Sequence, residues 1–188
     1  MRFAPIAAFI ALALCVPALA ADKPIVPRSA REFTIVEPNG KQTLLTSLKG
    51  KVVYIQFLFT TCPHCQALSR VLDKLSGELG PQGFQALGVA FEDNAGPVQA
   101  ANYVRQLGLK FPVGYASRAT VESYLGLTDD VRWVVPQAVI VDRKGMIRAQ
   151  SDAQGTENLQ TESYLRTYLG GLLKEGSSPK ASPAPTAK

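Results

Sequence analysis

Along the chain the apolar residues fall into blocks whose spacing switches between two and about 3.6 residues. Phe33-Thr34-Ile35-Val36 alternates and runs into Pro38-Asn39-Gly40-Lys41. An Asn-Gly pair between short apolar runs predicts a hairpin. Thr46 to Gly50 reads as a further turn. The stretch Val52-Val53-Tyr54-Ile55-Gln56-Phe57-Leu58-Phe59 is nearly continuous in apolar character, as in a central strand covered on both faces. Over 62–79 the spacing lengthens, and Cys65, Leu68, Val71, Leu72, Leu75 and Leu79 make one helical stripe. Thr60 or Thr61 can cap this helix. Pro63 suits its first turn, where a missing N–H loses no partner, and Gly80-Pro81 ends it.

The second half repeats the alternation. Phe84 to Phe91 predicts a strand, and Gly96-Pro97 opens a helix with Val98, Ala101, Val104 and Leu107 on its apolar face and Gly108 as its stop. A short strand over Phe111 to Tyr115 and a short helix over 118–126 follow. Val134 to Asp142 is strand-like with Pro136 inside it, and Arg143-Lys144-Gly145 turns it back into Met146-Ile147-Arg148. Thr156 to Lys174 reads as a closing helix. Arg132 and Arg143 are expected in solvent, and Trp133 and Tyr115 fit either core or groove, with core favoured for such large rings. The sum is an α/β fold, a central mixed sheet flanked by helices, preceded by a hairpin.

Composition sets the boundaries. The 188 residues fit one domain with tails. Arg2 precedes an uncharged stretch, Phe3 to Ala21, that ends in Pro17-Ala18-Leu19-Ala20. That pattern predicts a signal peptide over 1–20, cut before Ala21, and therefore an exported, periplasmic or extracytoplasmic protein. Left uncut, the same 19 residues can just span a bilayer, and only then does the chain have a membrane partner. Residues 21–32 read as a linker, 33–174 as the folded domain, and 175–188, rich in Ser, Pro, Ala and Lys, as a disordered tail. The net charge of +5 is scattered, and no basic run suggests a nucleic acid.

Losing the signal removes Cys15 and leaves Cys62 and Cys65, with His64, the single histidine, between them. A disulfide closing so short a loop constrains little of the unfolded chain, so redox chemistry explains the pair better than stability does. A zinc site needs two more ligands of this kind. Haem attachment needs His after the second Cys, where Gln66 stands. No cofactor and no metal are therefore expected. An ordinary cysteine titrates at about 8.5, too high for an efficient nucleophile. At a helix amino terminus, however, free N–H groups and the dipole favour the thiolate of Cys62, and His64 can add a hydrogen bond or positive charge. Cys65, one turn on, can then resolve a mixed disulfide.

Leu48 to Cys65, ending Phe-Thr-Thr-Cys-Pro-His-Cys, resembles the opening of the TlpA/ResA-like branch of the thioredoxin superfamily, within the alkyl hydroperoxide reductase/thiol-specific antioxidant grouping. The hairpin over Phe33 to Lys41 and the segment Pro136 to Gly145 are similar to that branch as well, so the likeness covers about residues 33–173. It implies a thioredoxin-like fold and a thiol–disulfide oxidoreductase that acts on protein thiols and disulfides, often in cytochrome c maturation. An upstream protein would donate or accept the electrons. It implies that Pro136 is cis beside the cysteines, with Val135 offering its backbone to an extended substrate and Thr61 and Trp133 as further contacts. It also places Glu92 beneath the pair, able to take the Cys65 proton, although an exposed acid beside Asp93 fits that position too. Two departures matter. Thr61 replaces the usual Trp, and Pro63-His64 is the dipeptide of DsbA-type oxidants. The family favours a reductase and the dipeptide an oxidant; reductase is the expectation. A peroxidase is disfavoured by Phe59, which stands where peroxiredoxins have Thr, and a Sco-like copper carrier by the lack of a distant His.

Overall fold

Seven consecutive buried residues make β4 (Val52–Leu58) the axis of the sheet. It runs parallel to β5 (Phe84–Ala90) and antiparallel to β7 (Gln137–Val141). β7 pairs with β8 (Met146–Gln150), and β8 with β1 (Arg28–Ser29). On the other side β6 (Val113–Tyr115) lies parallel to β5, followed by the hairpin of β2 (Thr34–Val36) and β3 (Gln42–Leu44). The order is β1-β8-β7-β4-β5-β6-β2-β3. Parallel neighbours need a crossover, and α1 (Pro63–Leu79) and α2 (Pro97–Leu107) supply those from β4 to β5 and from β5 to β6. α3 (Arg118–Leu125) and α4 (Glu162–Lys174) complete the set. This computed structural model describes residues 24–128 and 131–175. The expected signal segment and the tail from 176 onwards lie outside the described residues.

The period-two alternation of β4 divides the core. Val52, Tyr54 and Leu58 join Leu68, Leu72 and Leu75 of α1 and Leu165, Leu169 and Leu172 of α4. Val53, Ile55 and Phe57 join Phe33 and Ile35 of the hairpin and Val121, Tyr124 and Leu125 of α3. Each such leucine buried contributes roughly 1.5–3 kcal/mol, so α1 is held mainly by its stripe. Its last turn passes through Gly80-Pro81 into Gly83, whose φ of +98° favours glycine.

Several expectations change. Within the expected linker, Arg28–Ser29 pairs with Ile147 and Met146, covering an edge that β8 would otherwise leave open. Neither Thr60 nor Thr61 caps α1: Cys62 is the N-cap residue, without a side-chain cap bond. In α2 the buried residues are Ala100 and Tyr103, while Val98 is 63% exposed; the stripe is turned toward the ring of Tyr103. β7 begins only after Pro136, which has no N–H for a ladder. The closing helix is broken at Thr161, extended at φ −93° and ψ 123°, into a 3-10 turn Glu157–Gln160 and α4. Arg143 is not free in solvent. Its guanidinium donates to the carbonyls of Gly50, Gln82 and Leu173 and ties the turn before β4 and the turn after α1 to the last turn of α4, at the end of the sheet away from the cysteines.

Candidate functional site

β4 is buried on both faces and leaves the sheet through Phe59, Thr60 and Thr61 before turning into α1. The turn is closed by the Cys62 N–H donating to the Phe59 carbonyl at 3.1 Å, and the helix opens with the Gln66 N–H on the Cys62 carbonyl at 3.0 Å. Cys62 is extended, at φ −77° and ψ 119°, with Pro63 at the first helical position. Its sulfur therefore sits where the unpaired N–H groups of the helix begin. Both cysteines are free thiols; Cys62 is half-buried and Cys65 fully buried. Thr61, Pro63 and His64 are exposed.

The Val135–Pro136 bond is cis. It brings the Val135 carbonyl oxygen within 4.0 Å of Cys62 Sγ. Pro136 is buried and Val135 half-buried. Two residues earlier Trp133, also half-buried, stacks on Phe91 with ring centroids 5.4 Å apart, and Phe91 in turn packs on Phe59. The Arg118 guanidinium lies over Phe59 and Trp133 at 5.4 and 5.5 Å. Trp133 thus belongs partly to the core and partly to a wall of rings and one cation, so core against groove is not an exclusive choice.

Glu92 leaves the end of β5 and turns inward. Its Oε1 accepts the Thr60 N–H at 3.1 Å and the Thr60 hydroxyl, whereas Oε2 is buried without a hydrogen-bond partner among the described residues. It is not an exposed loop acid. Burial pushes the Cys65 thiol well up from its ordinary value, and the nearness of Cys62 and of the Glu92 charge pushes the same way, outweighing a backbone contact from Phe59. A thiol in that position keeps its proton until a base takes it.

Three residues at the site escaped the sequence reading. Gln56 donates from Nε2 to the Cys65 carbonyl oxygen at 2.8 Å, and Ser69 Oγ donates to Gln56 Oε1 at 2.7 Å. Gln66 reaches back to the Thr60 carbonyl at 3.0 Å. A signal existed for the first: an amide inside an otherwise apolar run has to find a partner there. Ser69 falls on the stripe beside Leu68 and Leu72, where a small hydroxyl is easily passed over.

A mixed sheet of this order, with two thiols where its central strand meets a helix, defines the thioredoxin-like class of thiol–disulfide oxidoreductases. Residues 24–169 match the family model described as Redoxin, and the chain belongs to that family. Among curated relatives, the thiol-disulfide oxidoreductase ResA of Bacillus thuringiensis (strain Al Hakam) is 26% identical over 145 residues, covering 77% of this chain and 79% of the relative. The ResA of Bacillus subtilis (strain 168) is 26% identical over 152 residues, covering 79% and 76%. Among solved structures, a thioredoxin-family thiol:disulfide interchange protein from Chlorobium tepidum TLS superposes with a TM-score of 0.65 at 21% identity, over 80% of this chain and 99% of that one. A thiol:disulfide interchange protein from Bacteroides sp. does so with 0.62 at 18%, over 81% and 95%. At these identities the structures speak for the fold.

Proposed function

We propose that the chain reduces disulfides in exported partner proteins through Cys62 and Cys65, and is recharged by an upstream dithiol protein. The observation that carries this reading is the asymmetry of the two sulfurs. Cys62 is reachable at the helix amino terminus, while Cys65 lies one turn behind it and is buried. The Cys62 thiolate attacks one sulfur of a substrate disulfide, forms a mixed disulfide, and expels the other substrate sulfur as a thiolate. The Val135 carbonyl, beside Cys62 Sγ, offers an acceptor to the substrate backbone, and Thr61, Trp133 and Pro136 border the same approach. Cys65 then gives its proton to Glu92, whose free Oε2 is the acceptor. It attacks Cys62 and releases the second substrate thiolate, leaving the Cys62–Cys65 disulfide. Two electrons have passed from protein to substrate. The apolar stretch at 3–21 supports export of the chain.

The resemblance to the TlpA/ResA-like branch supports the reducing direction. His64, exposed between the cysteines, supports a second reading, an oxidant that forms disulfides. Three measurements decide. Cys62→Ser is expected to abolish insulin reduction, and Cys65→Ser to accumulate a mixed disulfide with the substrate. Titration against glutathione is expected to place the pair near the reducing end of the thioredoxin-fold range, about −270 mV, and a value near about −120 mV would select the oxidant. Full activity in Cys62→Ser would sink both readings.

A further inference from the structure

Gln56 and Ser69 are fully buried and Tyr103 is 1% exposed, so their polar atoms find partners inside the protein. Gln56 Nε2 lies 2.8 Å from the Cys65 carbonyl oxygen, Ser69 Oγ 2.7 Å from Gln56 Oε1, and the Tyr103 hydroxyl 2.8 Å from Ser69 Oγ. The last acceptor settles the direction of every bond. A carbonyl only accepts, so the amide NH2 of Gln56 faces Cys65 and its oxygen faces Ser69. That oxygen also only accepts, so Ser69 places its one hydroxyl proton there. Tyr103 is then the donor to Ser69. Three donors in series, from α2, α1 and β4, point at one carbonyl, that of the buried cysteine.

We propose that Tyr103, Ser69 and Gln56 are positioning residues for the resolving step, a one-way relay that fixes the first turn of α1 and favours the Cys65 thiolate by drawing charge from its carbonyl. The relay rests on the roles given to the two cysteines above. Aligned hydrogen bonds polarise one another, and in a dry interior their dipoles act at nearly full strength. Burial pushes the Tyr103 hydroxyl pKa up and the nearby cysteine charges add to it, so the first donor keeps its proton. The titratable groups facing Cys65 are Cys62 on its own helix, Tyr54 on β4, Tyr103 on α2 and Glu92 beyond β5. Of these, Tyr54 donates its hydroxyl elsewhere, to the Leu159 carbonyl at 2.6 Å.

The reduced protein mixed with 5,5′-dithiobis(2-nitrobenzoate) separates the two steps. Cys62 attacks the probe, becomes bonded to one thionitrobenzoate and releases the other. Cys65 loses its proton to Glu92, which passes it to buffer; the Cys65 thiolate then attacks Cys62, closes the disulfide and releases the second thionitrobenzoate. Tyr103→Phe and Ser69→Ala are each expected to slow the second release about three- to tenfold, the size of one neutral hydrogen bond, to move its pH profile upward, and to leave the first release unchanged. Because the cuts lie in series, the double variant is expected to be no slower than the slower single one. A second release that is unchanged in both variants overturns the relay, and so does equal slowing of both releases with an unmoved pH profile. If Ser69→Ala fails to fold, Tyr103→Phe, which keeps the ring, decides. A second release that persists in Cys65→Ser would instead remove the underlying assignment of the cysteines.

Discussion

His64 stands exposed in the first turn of α1, between a half-buried sulfur and a buried one. In the oxidant reading its N–H and the charge of its cationic form support a thiolate on Cys62, and a stabilised thiolate makes the disulfide form the stronger oxidant. Replacing it with a second proline removes both effects without burying or unburying either sulfur. His64→Pro is therefore expected to make the potential more negative by about 30 mV, a tenfold change for a two-electron couple. An unmoved midpoint against glutathione would take His64 out of the chemistry. At this scale the sequence was readable where chemistry is local, as in the cysteines, the histidine and the proline at the first helical position. It flagged Gln56 only as an amide in an apolar run and was silent on its partners Ser69 and Tyr103, since the three lie on separate elements and meet only when β4, α1 and α2 pack.

The hairpin of β7 and β8 shows what an element asks of one side chain. Asp142 accepts the N–H groups of Lys144 at 2.9 Å and Met146 at 3.0 Å, and its other oxygen meets the Arg148 guanidinium at 3.1 Å. Arg148 also binds Glu175 at the end of α4. Burial pulls the Asp142 pKa up, but the bonds from Met146, Arg148 and Lys144 outweigh it and hold the carboxyl below its usual range. A lowered folded-state pKa gives stability that is complete above the unfolded value, about 3.9, and is lost as pH falls through the folded one. Asp142→Asn is accordingly expected to lower the urea midpoint at pH 7 and to flatten its fall below about pH 4. Parallel curves for variant and wild type would show that this turn does not govern acid sensitivity. The Asp-Arg-Lys-Gly turn was legible because it is built from contiguous residues. On α2, Val104 and Leu107 do pack on the core, and only Val98 was misplaced, because valine at 98 fits a helical stripe as well as tyrosine at 103 does.

For the molecule as a whole, among the described residues the hairpin of β2 and β3 pairs with the rest of the sheet through the edge of β6, where Val36 pairs with Tyr115. A Cβ on Gly114 would lie 2.4 Å from the Val36 carbonyl oxygen and 2.5 Å from Ile35 Cγ2. Backbone cannot yield there as a flexible side chain would. Gly114→Ala is expected to cost roughly 1–3 kcal/mol in chemical denaturation and to open the chain near residues 33–45 to protease, with thionitrobenzoate release unchanged. Stability equal to wild type would show that the hairpin is docked otherwise. The linear chain by itself determined the succession of strands and helices, the pair of cysteines and its place at a strand end, since each depends on neighbours within a turn or a run of residues. Tertiary packing alone decided which sulfur is reachable, how Glu92 and Val135 meet the pair, that Arg28–Ser29 covers the edge of β8 and that Arg143 ties two turns to the end of α4. Those relations join residues from 30 to 122 positions apart, and burial and shape, not local pattern, bring them together.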